Sequence, residues 1–185
     1  MNQSRIEEAK MSFKNHKATL IQNTDRYTII DWKNEDGSNN YYINFIIDKL
    51  RGNFIISGDL GDCIATWYNK LNIKNLKAYI KSIDYFISKF RCASNCYTYD
   101  YETLLDDLLK QYDMNIEDIE DIKYYMSDCY LNHKSGLIPS GEVVDILGKY
   151  DSDWWETFDY FGRDVDFRIF LWIVGFNMAC EQLGL

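Results

Sequence analysis

At 185 residues, with 46% hydrophobic and 26% charged side chains, the chain is long enough to bury a core without disulfide or metal staples. One proline and 10 glycines argue against a long disordered linker or a many-turned sandwich. The net charge of -9 is unevenly placed: residues 1–99 hold 14 Lys/Arg and 10 Asp/Glu, residues 100–185 hold 6 and 19, and the resulting -13 of the second stretch disfavours nonspecific binding of duplex DNA there.

Ser4 opens a modestly amphipathic helical pattern from Arg5 to about His16, with Ile6, Ala9 and Phe13 on one side. Asp25 to Lys33 is rich in β-branched and aromatic residues, Asp36-Gly37 supplies a turn, and Tyr41 to Asp48 and Asn53 to Ser57 read as the next strands of an antiparallel meander. Asp62 to Trp67 is a candidate fourth strand. Between them Gly58-Asp-Leu-Gly61 places two glycines around an acid, a turn that would also suit a small-ligand enzyme, although it lacks the Gly-Lys-Ser/Thr end of a phosphate loop and is no dinucleotide fingerprint.

Asn72 or Asn75 is placed to cap a helix from Leu76 to about Phe90. Its apolar stripe runs through Tyr79, Ile80, Ile83 and Phe86, while Lys74, Lys77 and Lys81 form a basic face. That face suits a solvated helix side, an RNA backbone or the acidic surface of a second copy. Cys92 to Cys96 reads as a connecting loop.

From Asp100 to Asp128 the chain holds ten acids against Lys110 and Lys123, on two predicted amphipathic helices capped by Asp100 and Asn115. Leu104, Leu105, Leu108, Leu109 and Tyr112 recur at helical spacing, as do Ile116, Ile119, Ile122, Tyr125 and Met126 after a break at residues 113–115, so each helix is expected to pair a core face with a rank of carboxylates. His133 to Gly136 is read as the end of the second helix. A short helix is predicted over Glu142 to Leu147, closed by Gly148, and another, capped by Ser152, over Asp153 to Phe161. The last, about Asp164 to Leu183, is apolar around almost its whole circumference, the pattern of a central packing element. The expected architecture is α+β: one domain over 1–185, with a helix and a small antiparallel three- to four-stranded sheet in residues 1–70 and about five helices in residues 71–185, sharing a core.

Chemistry-bearing patterns are sparse. Cys92 and Cys96 together with Cys129 and His133 have spacings from which a tetrahedral metal site is conceivable, but neither is the usual zinc-knuckle spacing, and no metal or cofactor is expected. The carboxylate doublets Asp106-Asp107, Glu117-Asp118 and Glu120-Asp121 diverge by about 100° on a helix and make no glycosidase pair. With His16 and His133 the only histidines, no nucleophilic dyad is apparent and the chain is read as a non-enzyme. The odd count of five cysteines fits reduced thiols, no secretory signal is apparent, and the apolar run around Ile169 to Phe176 is too short for a membrane helix, so a cytoplasmic protein without membrane contact is expected.

The surface is therefore the expected site. Asp106, Asp107, Asp113, Glu117, Glu120, Asp121 and Asp128 offer a charge row suited to a basic, nucleic-acid-binding protein, and the doublet Trp154-Trp155 supplies one aromatic for the core and one for a partner. The segment Ile55-Ile-Ser-Gly-Asp-Leu-Gly61 before a Trp-bearing strand, in a compact acidic chain rich in Asn, Ile, Lys and Tyr, resembles small phage-borne accessory proteins, among them type II anti-CRISPR inhibitors of Cas9. The resemblance implies a protein without enzymatic activity that binds Cas9 with its guide RNA in a bacterial host cytoplasm and impedes DNA recognition or cleavage, and the charge row adds that it would do so as a DNA mimic. A homodimer or larger homo-oligomer, joined through the Lys74, Lys77, Lys81 face, is the alternative.

Overall fold

The computed structural model describes residues 3–132 and 136–185. The fold is α+β and comprises two compact units: Met1–Cys96 with Phe167–Leu185, and Tyr97–Asp166. The second unit is thus an insertion of 70 residues between the last strand of the first unit's sheet and the helix that covers it, whereas the predicted elements fall into a sheet lobe over 1–70 and a helical lobe over 71–185.

In unit 1, α1 (Gln3–Ser12) precedes six strands, β1 (His16–Asn23), β2 (Tyr27–Asn34), β3 (Ile43–Asp48), β4 (Asn53–Gly58), β5 (Cys63–Thr66) and β6 (Phe90–Ala93), with α2 (Ile73–Tyr79) and α3 (Ile83–Ile87) between the last two. The strands form one antiparallel sheet in sequence order. Burial alternates along β2, β3 and β4, which places Ile30, Trp32, Ile43, Phe45, Ile47, Phe54 and Ile56 on one covered face. The covering element is α8 (Phe167–Gln182), buried continuously from Ile169 to Phe176 as its sequence predicts. Phe176 sits 5.4 Å from Phe45 and 4.9 Å from Phe54, ring centre to ring centre. Each such fully buried side chain stabilises the unit by about 1.5–3 kcal/mol relative to exposure. At the sheet edge the Gln182 carboxamide accepts from Ala18 N–H and donates to His16 C=O, both at 3.0 Å, meeting backbone groups of β1 as a further strand would.

The sheet has six strands rather than the three or four expected, because β1 and β6 are edge strands with little buried surface. Five consecutive residues of β1 and three of β6 are exposed, so neither shows the alternation that marks a half-buried strand. The predicted helix to His16 ends at Ser12, and the predicted helix from Leu76 to Phe90 is two: α2, whose Asn72 and Asn75 cap each other reciprocally at 2.8 Å, and α3, capped by Ser82.

Unit 2 holds α4 (Tyr101–Gln111), α5 (Ile116–Tyr125), α6 (Gly141–Tyr150) and α7 (Trp155–Phe158), with a 3-10 turn at Met126–Asp128 and two small antiparallel ribbons, β7 (Tyr97–Tyr99) with β10 (Arg163–Val165) and β8 (Tyr130–Asn132) with β9 (Gly136–Ile138). Its core contains Leu104, Leu108, Tyr112, Ile122, Val143, Ile146, Leu147, Phe158 and Phe161. Residues 71–185 hold seven described α-helices, α2 to α8, against the five or so expected there. Asp100 and Asn115 cap α4 and α5 as their sequence positions indicate. Three boundaries differ. Helix α6 runs on through Gly148 to Tyr150, only Trp155–Phe158 of the predicted 153–161 helix is α-helical, and Arg163–Val165 pairs with β7 instead of opening α8. The expected helix end at residues 133–135 lies outside the described residues, and α5 closes at Tyr125.

Candidate partner-binding surface on the acidic unit

Charge divides along the structural boundary. Unit 2 carries 18 Asp/Glu against 5 Lys/Arg, net -13, and unit 1 carries 11 against 15, net +4. Of the 18 carboxylates, 14 are exposed, which makes the 70-residue unit a strongly anionic surface.

On α5 the buried positions are Asp118 and Ile122, which fixes the phase of the helix: Glu117, Glu120 and Asp121 point away from the core. Two apolar side chains share that outer side. Ile116 is 80% exposed and Tyr124 is 72% exposed, at steps of four residues on either side of Glu120. Ile116 falls in the predicted core set by spacing, but it lies six residues from Ile122, about 120° away around the helix, and even further from Asp118, so it faces away from the buried side. Glu120 pairs with Lys123 at 3.0 Å, both largely solvated.

The remaining predicted acids separate into two groups. Asp106, Asp113 and Asp128 are exposed, Asp106 on the outer side of α4 one turn from Glu102. Asp107 instead serves the fold, since its carboxylate accepts from the Gly162 N–H at 3.1 Å and lies 3.5 Å from Lys110. Gly162 has a positive φ of 66° and no room for a side chain, because a Cβ would stand 2.7 Å from Asp100 C=O, so Asp107 secures a chain reversal that only glycine fits. Asp118, one of the acids of this stretch though not of the predicted binding set, is buried. Lys149 Nζ donates to it at 2.7 Å, Tyr150 Oη at 2.5 Å and Asn115 Nδ2 at 2.8 Å, a network that joins α5 to α6. The hydrogen bonds from Lys149 and then Tyr150 hold the Asp118 carboxyl below the usual carboxylate range and raise Lys149 in turn.

Trp155 is 55% exposed, whereas Trp154 is partly buried and packs edge-on against Phe158 at 5.1 Å, so the doublet divides between core and surface. Tyr160, 59% exposed, was not legible as a surface aromatic. The Arg163 guanidinium lies 4.5 Å from its ring and 4.1 Å from that of Tyr97. Exposed carboxylates of Asp153, Glu156 and Asp159 neighbour these rings in sequence, so aromatic and anionic groups alternate along this segment as well.

In unit 1, Lys74 and Lys81 are exposed, and Lys77 is half-buried with its ammonium donating to Leu185 C=O at 2.7 Å. The turn from Gly58 to Gly61 is occupied by packing. A Cβ on Gly58, where φ is 137°, would stand 2.3 Å from Tyr42 C=O, and one on Gly61 would stand 2.6 Å from Ser94 Oγ. Asp59 N–H donates to Tyr42 C=O and its carboxylate accepts from Tyr41 N–H, both at 2.9 Å, so both glycines and the intervening acid have structural roles in joining two turns of the sheet.

Among the described residues no three His, Cys, Asp or Glu side chains gather as metal ligands. Cys92 and Cys96 belong to unit 1 and Cys129 to unit 2, where the Cys129 sulfur accepts from Ser140 N–H at 3.3 Å. His133 lies outside the described residues. No described helix is long and apolar enough to cross a membrane. Compared with known proteins, the chain matches no family model, no curated protein and no solved structure.

Proposed function

We propose that the protein is a non-enzymatic, phage-type inhibitor whose acidic unit binds a basic nucleic-acid-binding effector, of the kind formed by Cas9 with its guide RNA, and blocks DNA recognition or cleavage. The observation that carries the reading is the outer side of α5, where Glu117, Glu120 and Asp121 stand beside Ile116 and Tyr124, both largely exposed. Carboxylates alone suit solubility; large apolar groups exposed among them suit an interface, because burying them on a partner is favourable while the charges set its sign.

The mechanism is competition. Carboxylates three and four residues apart on a helix stand about 5–6 Å from one another at Cβ, close enough to meet successive Lys and Arg side chains of a groove that otherwise holds phosphates. Asp106, Asp113 and Asp128 extend the anionic surface, while Trp155 offers an exposed ring to cationic side chains. Asp107 and Asp118 stay with the fold, so the binding set is smaller than the full complement of acids in this stretch of sequence.

The test is a pull-down of Cas9, with and without guide RNA, followed by a target-cleavage assay with the captured complex. The expected result is salt-sensitive capture and loss of cleavage in proportion to the protein added. Absence of capture at low salt in both forms refutes the Cas9 reading, and capture that persists unchanged at high salt refutes the electrostatic mechanism.

A further inference from the structure

A second charged surface lies in unit 1 and answers the first. Ile73, Lys74, Lys77, Ala78, Lys81 and Leu185 line a cleft of ≈ 460 Å³. Lys81 also lines a second, more apolar cleft of ≈ 290 Å³, walled by Ile6 and Lys10 of α1 and by Ile173, Val174, Asn177, Met178 and Glu181 of α8. Lysines therefore border the apolar floors of both clefts, with Lys77 also holding Leu185 C=O at 2.7 Å and Glu181 offsetting part of the charge at the second, so the exposed Lys74 and Lys81 are the main cations offered. An occupant that fits must bring carboxylates for the rim and apolar side chains for the floor.

The outer side of α5 has this composition. Glu117, Glu120 and Asp121 supply its carboxylates, and Ile116 and Tyr124 are its two exposed apolar groups. The charges of the two units, -13 and +4, have opposite sign. Whole chains of net charge -9 repel at long range, but at physiological salt that repulsion is screened beyond about 8 Å, whereas groups in contact are not.

We propose that the Lys74–Lys77–Lys81 cleft of one chain binds the outer side of α5 of a second copy, so that the protein self-associates through unlike surfaces. Such a contact is heterologous, uses a different patch on each partner, and covers the α5 face in the associated form. The inference does not rest on the function proposed above, since it concerns the pure protein; its consequence for that function is that assembly and effector binding compete for one helix face.

The experiment is sedimentation velocity on the pure protein at about 0.1 M salt over about 1 to 200 µM, a range in which interfaces of modest size associate. The wild type is expected to rise above its monomer mass of 22.0 kDa with concentration. K77E/K81E and E117K/E120K are each expected to lose at least ten-fold in association and to remain at monomer mass, with circular dichroism verifying that both are folded. Mixed in equal amounts they are expected to associate again, because the intact α5 of the first meets the intact cleft of the second and the two reversed surfaces also match. A wild type that stays at 22.0 kDa throughout, variants that assemble like it, or a folded mixture that stays monomeric overturns the proposal.

Discussion

Reversing the charges on α5 separates recognition from stability. In the variant E117K/E120K/D121K, none of the three side chains lies in the core of unit 2. An exposed ion pair contributes about 0.2–1 kcal/mol, and reversal replaces an attraction with a repulsion of similar size, so each position should weaken binding to a cationic groove by about 0.4–2 kcal/mol. Three positions give about 1–6 kcal/mol, roughly ten-fold to ten-thousand-fold in affinity. The folded state loses less. Glu117 leaves the first turn of α5, where a carboxylate interacts with the helix dipole for about 0.3–1 kcal/mol. Glu120 gives up a solvated pair with Lys123, about 0.3–0.5 kcal/mol. The assay is a binding titration against the Cas9–guide RNA complex at two salt concentrations, alongside a thermal melt of the free protein. Wild-type affinity should fall between about 50 and 200 mM salt, and the variant should bind weakly at both. A variant that binds and inhibits like the wild type while melting near its temperature would refute the assignment of this face.

Four further outcomes are expected. Ile122→Ala, at a position with no exposed surface, should cost about 2–5 kcal/mol in a denaturant titration, whereas Ile116→Ala on the same helix should stay within about 0.5 kcal/mol; equal effects would contradict the phase of α5. Because the Asp118 carboxyl is held low, its contribution is fully present above the ordinary carboxylate value of about 3.9 and is lost as pH falls through its lower native value, so Asp118→Asn should lower the melting temperature at neutral pH and flatten the acid limb of a stability–pH profile. Gly58→Ala should destabilise by about 1–3 kcal/mol, and by more than Gly37→Ala, because Gly37 has open space where Gly58 has a carbonyl oxygen; melts of the two variants decide this. Alkylation of the native protein followed by mass spectrometry should modify exposed Cys92 first, while the thiols of Cys63, pushed far up by burial, and Cys180, pushed up by burial to about 11, should react only after unfolding.

The parts of the fold legible in the sequence are those whose side chains alternate between water and core. Strands β2, β3 and β4 announce themselves through β-branched and aromatic residues with one buried face, and α8 through its unbroken apolar run. Caps at Asn72, Asp100 and Asn115 are readable because their hydrogen bonds are local. What escapes is decided by distant partners. Edge strands β1 and β6 owe their existence to one neighbouring strand and lack the pattern of a covered face. The same limit applies to the surface: Asp107 and Asp118 are indistinguishable in sequence from their exposed neighbours, and it is Gly162 for the first, and Lys149 and Tyr150 for the second, dozens of residues away, that draw them into the fold. Conversely, Ile116 is apolar and correctly spaced from Ile119, yet the buried pair Asp118 and Ile122 turns it outward.

The insertion of unit 2 between β6 and α8 dictates an order of events during synthesis. All six strands leave the ribosome before any of α8, and 70 residues of unit 2 come between. Throughout that interval the apolar side of the sheet, with Phe45, Phe54 and Trp32, lacks the helix that later shields it, while unit 2 already has every strand and helix it needs to fold. The nascent chain therefore exposes the apolar side of the sheet for the whole interval in which unit 2 is synthesised, the period in which association through that side is open to it.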